Sequence, residues 1–201
     1  MKLYRPWFFA RWLYPAAISR LKTGEKILCL TFDDGPDPES TPLLLDTLAK
    51  HGVRAIFFCS GCRAVENPEL VSRIKSEGHL IGNHGYRHLD GFFTSISDYI
   101  EDIKSAAPLT SQNLFRPPYG RMRIRQYRQL ILTFRVMLWD LMSYDFDRRF
   151  GKGKSLSVLR KKIRRGSIIV LHDKPESTVH EFLEEFIMHC FSLGYRFELP
   201  G

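Results

Sequence analysis

No uninterrupted apolar run of about 20 residues, the length a membrane-spanning helix needs, occurs in this 201-residue chain. The most apolar terminal stretch, 1–21, is broken by Arg11 and Pro15, and it lacks the clean apolar centre of a cleaved secretion signal. No internal repeat, low-complexity tract or linker divides the sequence. The basic-aromatic module of a nucleic-acid binder is absent too, so no specific nucleic-acid partner is expected. Cysteine is scarce: Cys29, Cys59, Cys62 and Cys190. Cys29 and Cys59 lie in apolar runs and read as buried free thiols. Cys59-Ser60-Gly61-Cys62 has the spacing of a redox or zinc half-site, but no second pair accompanies it. Free thiols point towards a reducing compartment, so the cytoplasm or a membrane surface is the expected location.

What is present fits a single domain. The hydrophobic content of 44% is ordinary for a globular protein, and the length allows a full core without staples. The formal charge is +8, with much of the excess in 116–165, as in Arg121-Met122-Arg123-Ile124-Arg125 and Arg160-Lys161-Lys162-Ile163-Arg164-Arg165. Such a field suits a polyanion: an acidic glycan, an anionic lipid or a nucleic acid. Ile124 and Ile163 interrupt the basic runs as core-facing helix residues would, so a solvated helix face is the simpler expectation. Trp7, Phe8, Phe9 and Trp12 offer a peripheral membrane contact. The simpler expectation is that 1–25 packs on or near one end of a domain spanning 26–201.

Short apolar runs alternate with helical stretches. Strands are expected at 26–32, 54–59, 79–82, 114–116, 134–139, 168–172 and 195–199. Helices are expected between them, opening at Thr41-Pro42 and Asn67-Pro68, where Thr41 can cap and proline fits the first turn. Further helices are expected at 95–107, 123–132, 155–165 and 178–193. This alternation predicts parallel strands covered by helices. Seven units suggest an α/β fold of one domain, a distorted (β/α)7 barrel.

Polar clusters close five of these strands, at the strand ends where parallel α/β proteins assemble their sites. Thr31-Phe32-Asp33-Asp34-Gly35 ends the first and Gly82-Asn83-His84-Gly85-Tyr86-Arg87-His88 follows the third. His84 and His88, four apart, share a face if their segment is a helical turn. With Asp34 they make a two-histidine, one-carboxylate set that leaves positions open for water and substrate. Asp33 can then take a proton from water and His172 can give one to an amine leaving group. Arg116, semi-buried by its context, needs an acidic partner, and Asp33 is the candidate.

These clusters, with Arg116-Pro117-Pro118-Tyr119-Gly120, Trp139 to Phe146 and Leu171-His172-Asp173, resemble the five ordered motifs of the NodB-homology polysaccharide deacetylases (carbohydrate esterase family four). The resemblance covers roughly 26–199. It implies a distorted (β/α) barrel, one divalent metal (zinc, or cobalt, nickel or manganese), and hydrolysis of an acetyl group from an N-acetylated or sometimes an O-acetylated sugar. It makes Asp33 the base, Asp34, His84 and His88 the metal ligands, and His172 the acid. Arg116 would orient Asp33, and Asp145 would orient and charge His172. The Tyr119 N–H would help to stabilise the oxyanion, and Leu171 would line the acetyl pocket, with Pro118 and Trp139 also on the substrate. Three positions depart from the pattern. Gly85 stands where Ser or Thr is usual, so a hydroxyl tether for the ligand loop is missing and weaker metal binding is implied. Met142 replaces an acid, and Phe146 replaces a frequent Trp, which implies a different acetyl pocket. The rival expectations are an O-acetyl esterase, a small-molecule amidase, or a catalytically silent glycan binder.

Overall fold

The computed structural model describes residues 4–5 and 10–200. Its centre is β1 (Ile27–Asp33), seven buried residues with no exposed face. A strand buried on both sides needs apolar residues throughout, and Ile-Leu-Cys-Leu-Thr-Phe supplies them up to the polar end. Around it run β2 (Ile56–Cys59), β3 (Leu80–Asn83), β4 (Leu114–Phe115), β5 (Arg135–Val136), β6 (Leu141–Met142), β7 (Ile168–His172) and β8 (Arg196–Phe197). All pairings are parallel, in the order β5-β4-β3-β2-β1-β7-β6, with β8 beside the lower half of β1. The helices are α1 (Ala10–Leu13), α2 (Thr41–Lys50), α3 (Gly61–Glu66), α4 (Pro68–Ser76), α5 (Ile96–Ala106), α6 (Ile124–Leu130), α7 (Lys152–Lys162) and α8 (Leu183–Ser192). The result is the distorted, incompletely closed (β/α) barrel that the sequence pattern predicts.

Of the expected strand 134–139 only Arg135–Val136 is strand, and a further strand that was not expected, β6, follows it. β5 ends at Val136, and the chain turns through Leu138-Trp139-Asp140 before β6 pairs with β7 on the far side of the sheet. The gap between β5 and β6 is bridged by the segment before β1. Ile18 pairs with Met137 and Arg20 pairs with Ser167. The Ile18 N–H donates to Val136 O at 2.8 Å, and the Leu138 N–H donates to Ile18 O at 2.9 Å. Trp7, Phe8 and Phe9, expected as membrane contacts, lie outside the described residues.

Apolar packing forms two layers about the sheet. Cys29, Ile56, Phe58, Leu114, Met137 and Ile168 fill the inside of the barrel. Alternate residues of the same strands, among them Leu28, Leu30, Phe32, Phe57, Ile169 and Leu171, pack outward with residues of α2, α7 and α8. This is the two-residue period of a strand, and it decides which side chains face the site. Thr41 does not cap α2, for Ser40 holds the capping position and makes no side-chain cap bond. The Thr41 hydroxyl instead donates to Asp173 at 2.6 Å and accepts the Asp37 N–H at 2.7 Å. Ile124 is solvent-exposed rather than core-facing, so one reason for reading the basic runs as a plain solvated helix fails.

Candidate active site and metal centre

Asp33 and Asp34 close β1. Asp33 keeps strand geometry, while Asp34 has φ +82, so the two carboxylates leave the strand in different directions. Next to them, Gly35 is pressed on Asp173, where a Cβ would lie 2.2 Å from a carboxylate oxygen. No residue larger than glycine fits this turn.

Residues 84–88 do not form a helical turn. Gly85 has φ +75 and His88 has φ +57, and this looped backbone brings the rings together at 5.0 Å. His84 Nε2 lies 3.6 Å from Asp34 Oδ1, and His88 Nε2 lies 3.1 Å from it. Ligand atoms of Asp34, His84 and His88 all fall within 4.8 Å of one another. His84 Nδ1 is 2.8 Å from Arg116 O, so it carries the proton and leaves Nε2 free to ligate. Burial pushes the Asp34 carboxyl up, but hydrogen bonds from His84 and His88 outweigh it and hold it far below the usual range. Two imidazole nitrogens and a carboxylate oxygen facing one point suit zinc or a similar divalent ion.

The missing hydroxyl tether has a substitute that the sequence did not reveal. Asp102, a buried carboxylate on α5, accepts the Tyr86 N–H at 2.8 Å and the Arg87 N–H at 3.2 Å, and pairs with Arg87 Nε at 2.9 Å. Asn83 adds its side-chain oxygen to the Gly85 N–H at 2.8 Å. The clue was an acid among the core-facing residues Tyr99, Ile103 and Ala106 of α5. Lys174 was also missed. It reaches Asp34 Oδ2 at 2.9 Å from the position directly after the Leu171-His172-Asp173 cluster.

Arg116 is 1% exposed and fully engaged. It donates to Asp33 Oδ1 at 2.7 Å, Thr31 Oγ1 at 2.6 Å, Leu138 O at 2.9 Å and Met137 O at 3.3 Å. Its guanidinium lies 4.1 Å from the centre of the Phe58 ring. A buried cation held this way fixes the position of the Asp33 carboxylate.

His172 pairs across the ladder with Asp33. Its Nδ1 is 3.0 Å from Asp145 Oδ1, and its backbone N–H donates to Asp145 Oδ2 at 2.8 Å. Asp145 also accepts from Ser143, and from Ser177 at 2.5 Å. Burial alone would lower the His172 pKa, but the Asp145 charge and hydrogen bond raise it above the ordinary value. Burial likewise raises Asp145, and His172 with the two hydroxyls brings it below. Phe146 covers His172 edge-on at 4.7 Å. The neighbouring Asp173 carboxyl is pushed up to about 7 by burial, although Ser40 and Thr41 donate to it.

The substrate-side residues divide. Tyr119 has φ +57, is well exposed, and sets its ring 4.7 Å from that of His88. Pro118 is buried behind the ligand loop, its Cγ 3.7 Å from where a Gly85 Cβ would stand. Trp139 sits beneath the same turn: a Cβ on Gly120 would lie 2.3 Å from its ring. It supports Tyr119. Leu171 does not line the site. Strand alternation turns it to the helix-facing layer, fully buried, and Val170, two before His172, shares the His172 face. Cys59 and Cys62 are free thiols and form no pair.

Residues 20–132 match the polysaccharide deacetylase family. A peptidoglycan-N-acetylglucosamine deacetylase of Bacillus cereus is 32% identical over 184 residues, 85% of this chain. The chain spans 65% of that relative's length. Among solved structures, the Bc1960 peptidoglycan N-acetylglucosamine deacetylase superposes with a TM-score of 0.87 at 28% identity, covering 96% of this chain and 94% of that one. BA3943 of Bacillus anthracis, described as a pseudoenzyme of the CE4 family, superposes at 0.79 with 25% identity, covering 91% of this chain and 66% of its own. The chain therefore belongs to the polysaccharide deacetylase family, whose NodB-type barrel it shares.

Proposed function

We propose that this chain is a metal-dependent hydrolase that removes the acetyl group from N-acetylated sugar units, with an N-acetylglucosamine-containing glycan as its substrate class. One observation carries the reading. The convergent ligand atoms of Asp34, His84 and His88 are accompanied by Asp33 and His172 on paired positions of β1 and β7. The relatives' substrates agree with it.

Asp34, His84 and His88 would hold one divalent ion, which when bound would supply Lewis-acid polarisation of the acetyl carbonyl and ease the ionisation of water. Asp33, oriented by Arg116, takes a proton from the attacking water. The Tyr119 N–H donates to the oxygen that becomes negative. His172, kept protonated by Asp145, gives its proton to the sugar nitrogen as the carbon–nitrogen bond breaks. Water thus adds to the acetyl carbon, acetate leaves, and the amine carries the proton away.

The test is acetate release by the purified chain, with and without added metal, from N-acetylglucosamine oligomers, peptidoglycan fragments and acetylated xylan. Metal-dependent release from the first two supports the reading. Release from xylan alone makes the chain an O-acetyl esterase. No release despite a bound metal makes it a catalytically silent homologue, and BA3943 is described as a pseudoenzyme.

A further inference from the structure

Several large exposed apolar side chains belong to two adjoining elements, α1 and α6. Trp12 (86% exposed) and Leu13 come from α1, Ile124 and Ile131 from α6 and its C-terminal cap, and Leu132 (84%) from the next residue. The two elements are packed together. Tyr14 meets Tyr127 at 5.0 Å between ring centres, its hydroxyl donates to Met122 O, and the Ala16 N–H donates to the Tyr127 hydroxyl at 2.7 Å. Tyr127 and Ile131 are four apart on one helical face, so Ile131 emerges beside the α1 contact. Ile124, Arg128 and Ile131 form a single stripe along α6.

Charge sharpens the picture. Residues 1–24 contain no Asp or Glu, and neither do residues 103–139, so both segments building this face are purely basic. Arg125 and Arg128 are exposed on α6, and among the described residues neither has an ion-pair partner. A second copy of the chain seated here would set these arginines against their own kind. A bilayer surface has the complementary make-up: phosphates for arginine, an interfacial zone for tryptophan, and acyl chains for leucine and isoleucine.

We infer that α1 and α6 together form a docking face for an anionic lipid surface. Trp12, Ile131 and Leu132 enter the headgroup boundary, and Arg125 and Arg128 lie on lipid phosphates.

The experiment is co-sedimentation of the full chain with vesicles of phosphatidylglycerol and phosphatidylcholine, against vesicles of phosphatidylcholine alone. Binding to the anionic vesicles only, weakened by salt, is expected. Trp12→Ser with Leu132→Ser should abolish it at unchanged charge. Arg125→Gln with Arg128→Gln should weaken it by about 30-fold, on roughly one surface charge increment per arginine. Unchanged melting temperatures would show that these exposed substitutions leave the fold intact. No sedimentation with either vesicle overturns the inference. So does binding that survives both double variants. Concentration-dependent self-association without vesicle binding, lost in Leu132→Ser, would make the face a protein interface instead.

Discussion

Gly85 stands where a hydroxyl residue is usual in the family, and the sequence alone makes this a weakness. The structure reverses the expectation, because a side chain there would meet Asp102 Oδ2 at 2.9 Å from a left-handed backbone. Gly85→Ser should therefore weaken metal binding by roughly tenfold or more, since strain at such a position costs about 1–3 kcal/mol. Chelator competition checks this, and tighter binding in the variant would refute the steric argument. At Asp33, substitution by Asn keeps an acceptor for Arg116 but removes the base. Metal binding should persist while turnover falls by about 100-fold or more. Near wild-type turnover would mean that Asp33 is not the base. The raised His172 pKa extends the protonated acid to higher pH, so activity is lost as pH climbs through that folded value. Asp145→Asn removes the charge that raises it and leaves burial to lower it. The alkaline limb of the pH–rate profile should then move to lower pH. The proposed ligands, base and acid were legible because they stand at, or just beyond, the ends of the apolar strands β1, β3 and β7. Leu171 was misplaced because motif adjacency says nothing about strand alternation. Asp102 acts from a helix with no recognisable motif, and Lys174 stands one residue beyond one, where the motif assigns no role.

At the level of elements, strands buried on both faces were legible as uninterrupted apolar runs, and helices opened by proline were equally clear. β6 was not, since two residues cannot show a period and Asp140 separates them from the apolar run 136–139 that was read as the strand. The bridging role of 14–21 was hidden for a different reason. Its pairing is backbone to backbone, across a gap that exists only after the sheet has formed. Removing residues 1–21 should lower stability by roughly 3 kcal/mol or more, the scale for losing one buried aromatic such as Tyr14. A melting curve would show the drop, and amide exchange at Leu138 should quicken. An unaltered melt would demote the segment to an ornament.

For the molecule as a whole, binding of the proposed metal would be thermodynamically linked to folding. A ligand that binds only the native state at about 100 times its Kd stabilises by about 2.7 kcal/mol, which for a chain of this size raises Tm by roughly 5–10 °C. Zinc should produce that rise in the wild type, and His84→Ala should not show it. Protonation acts in the opposite pH direction to a paired carboxylate. The folded state raises His172 above its unfolded value, so its contribution to stability is full below about pH 6.5 and declines as pH rises through the folded value. Among the described residues no helix is long and apolar enough to cross a membrane. The pairing of Asp33 with His172 across β1 and β7 carries one more consequence. The interval between the backbones that carry the proposed proton acceptor and donor is set by the hydrogen-bonded spacing of two central strands, about 4.8 Å, and not by any loop. Loops around the mouth are thus free to diverge towards new sugars without detuning the proton relay, whereas a slip of one residue between those strands would dismantle it outright.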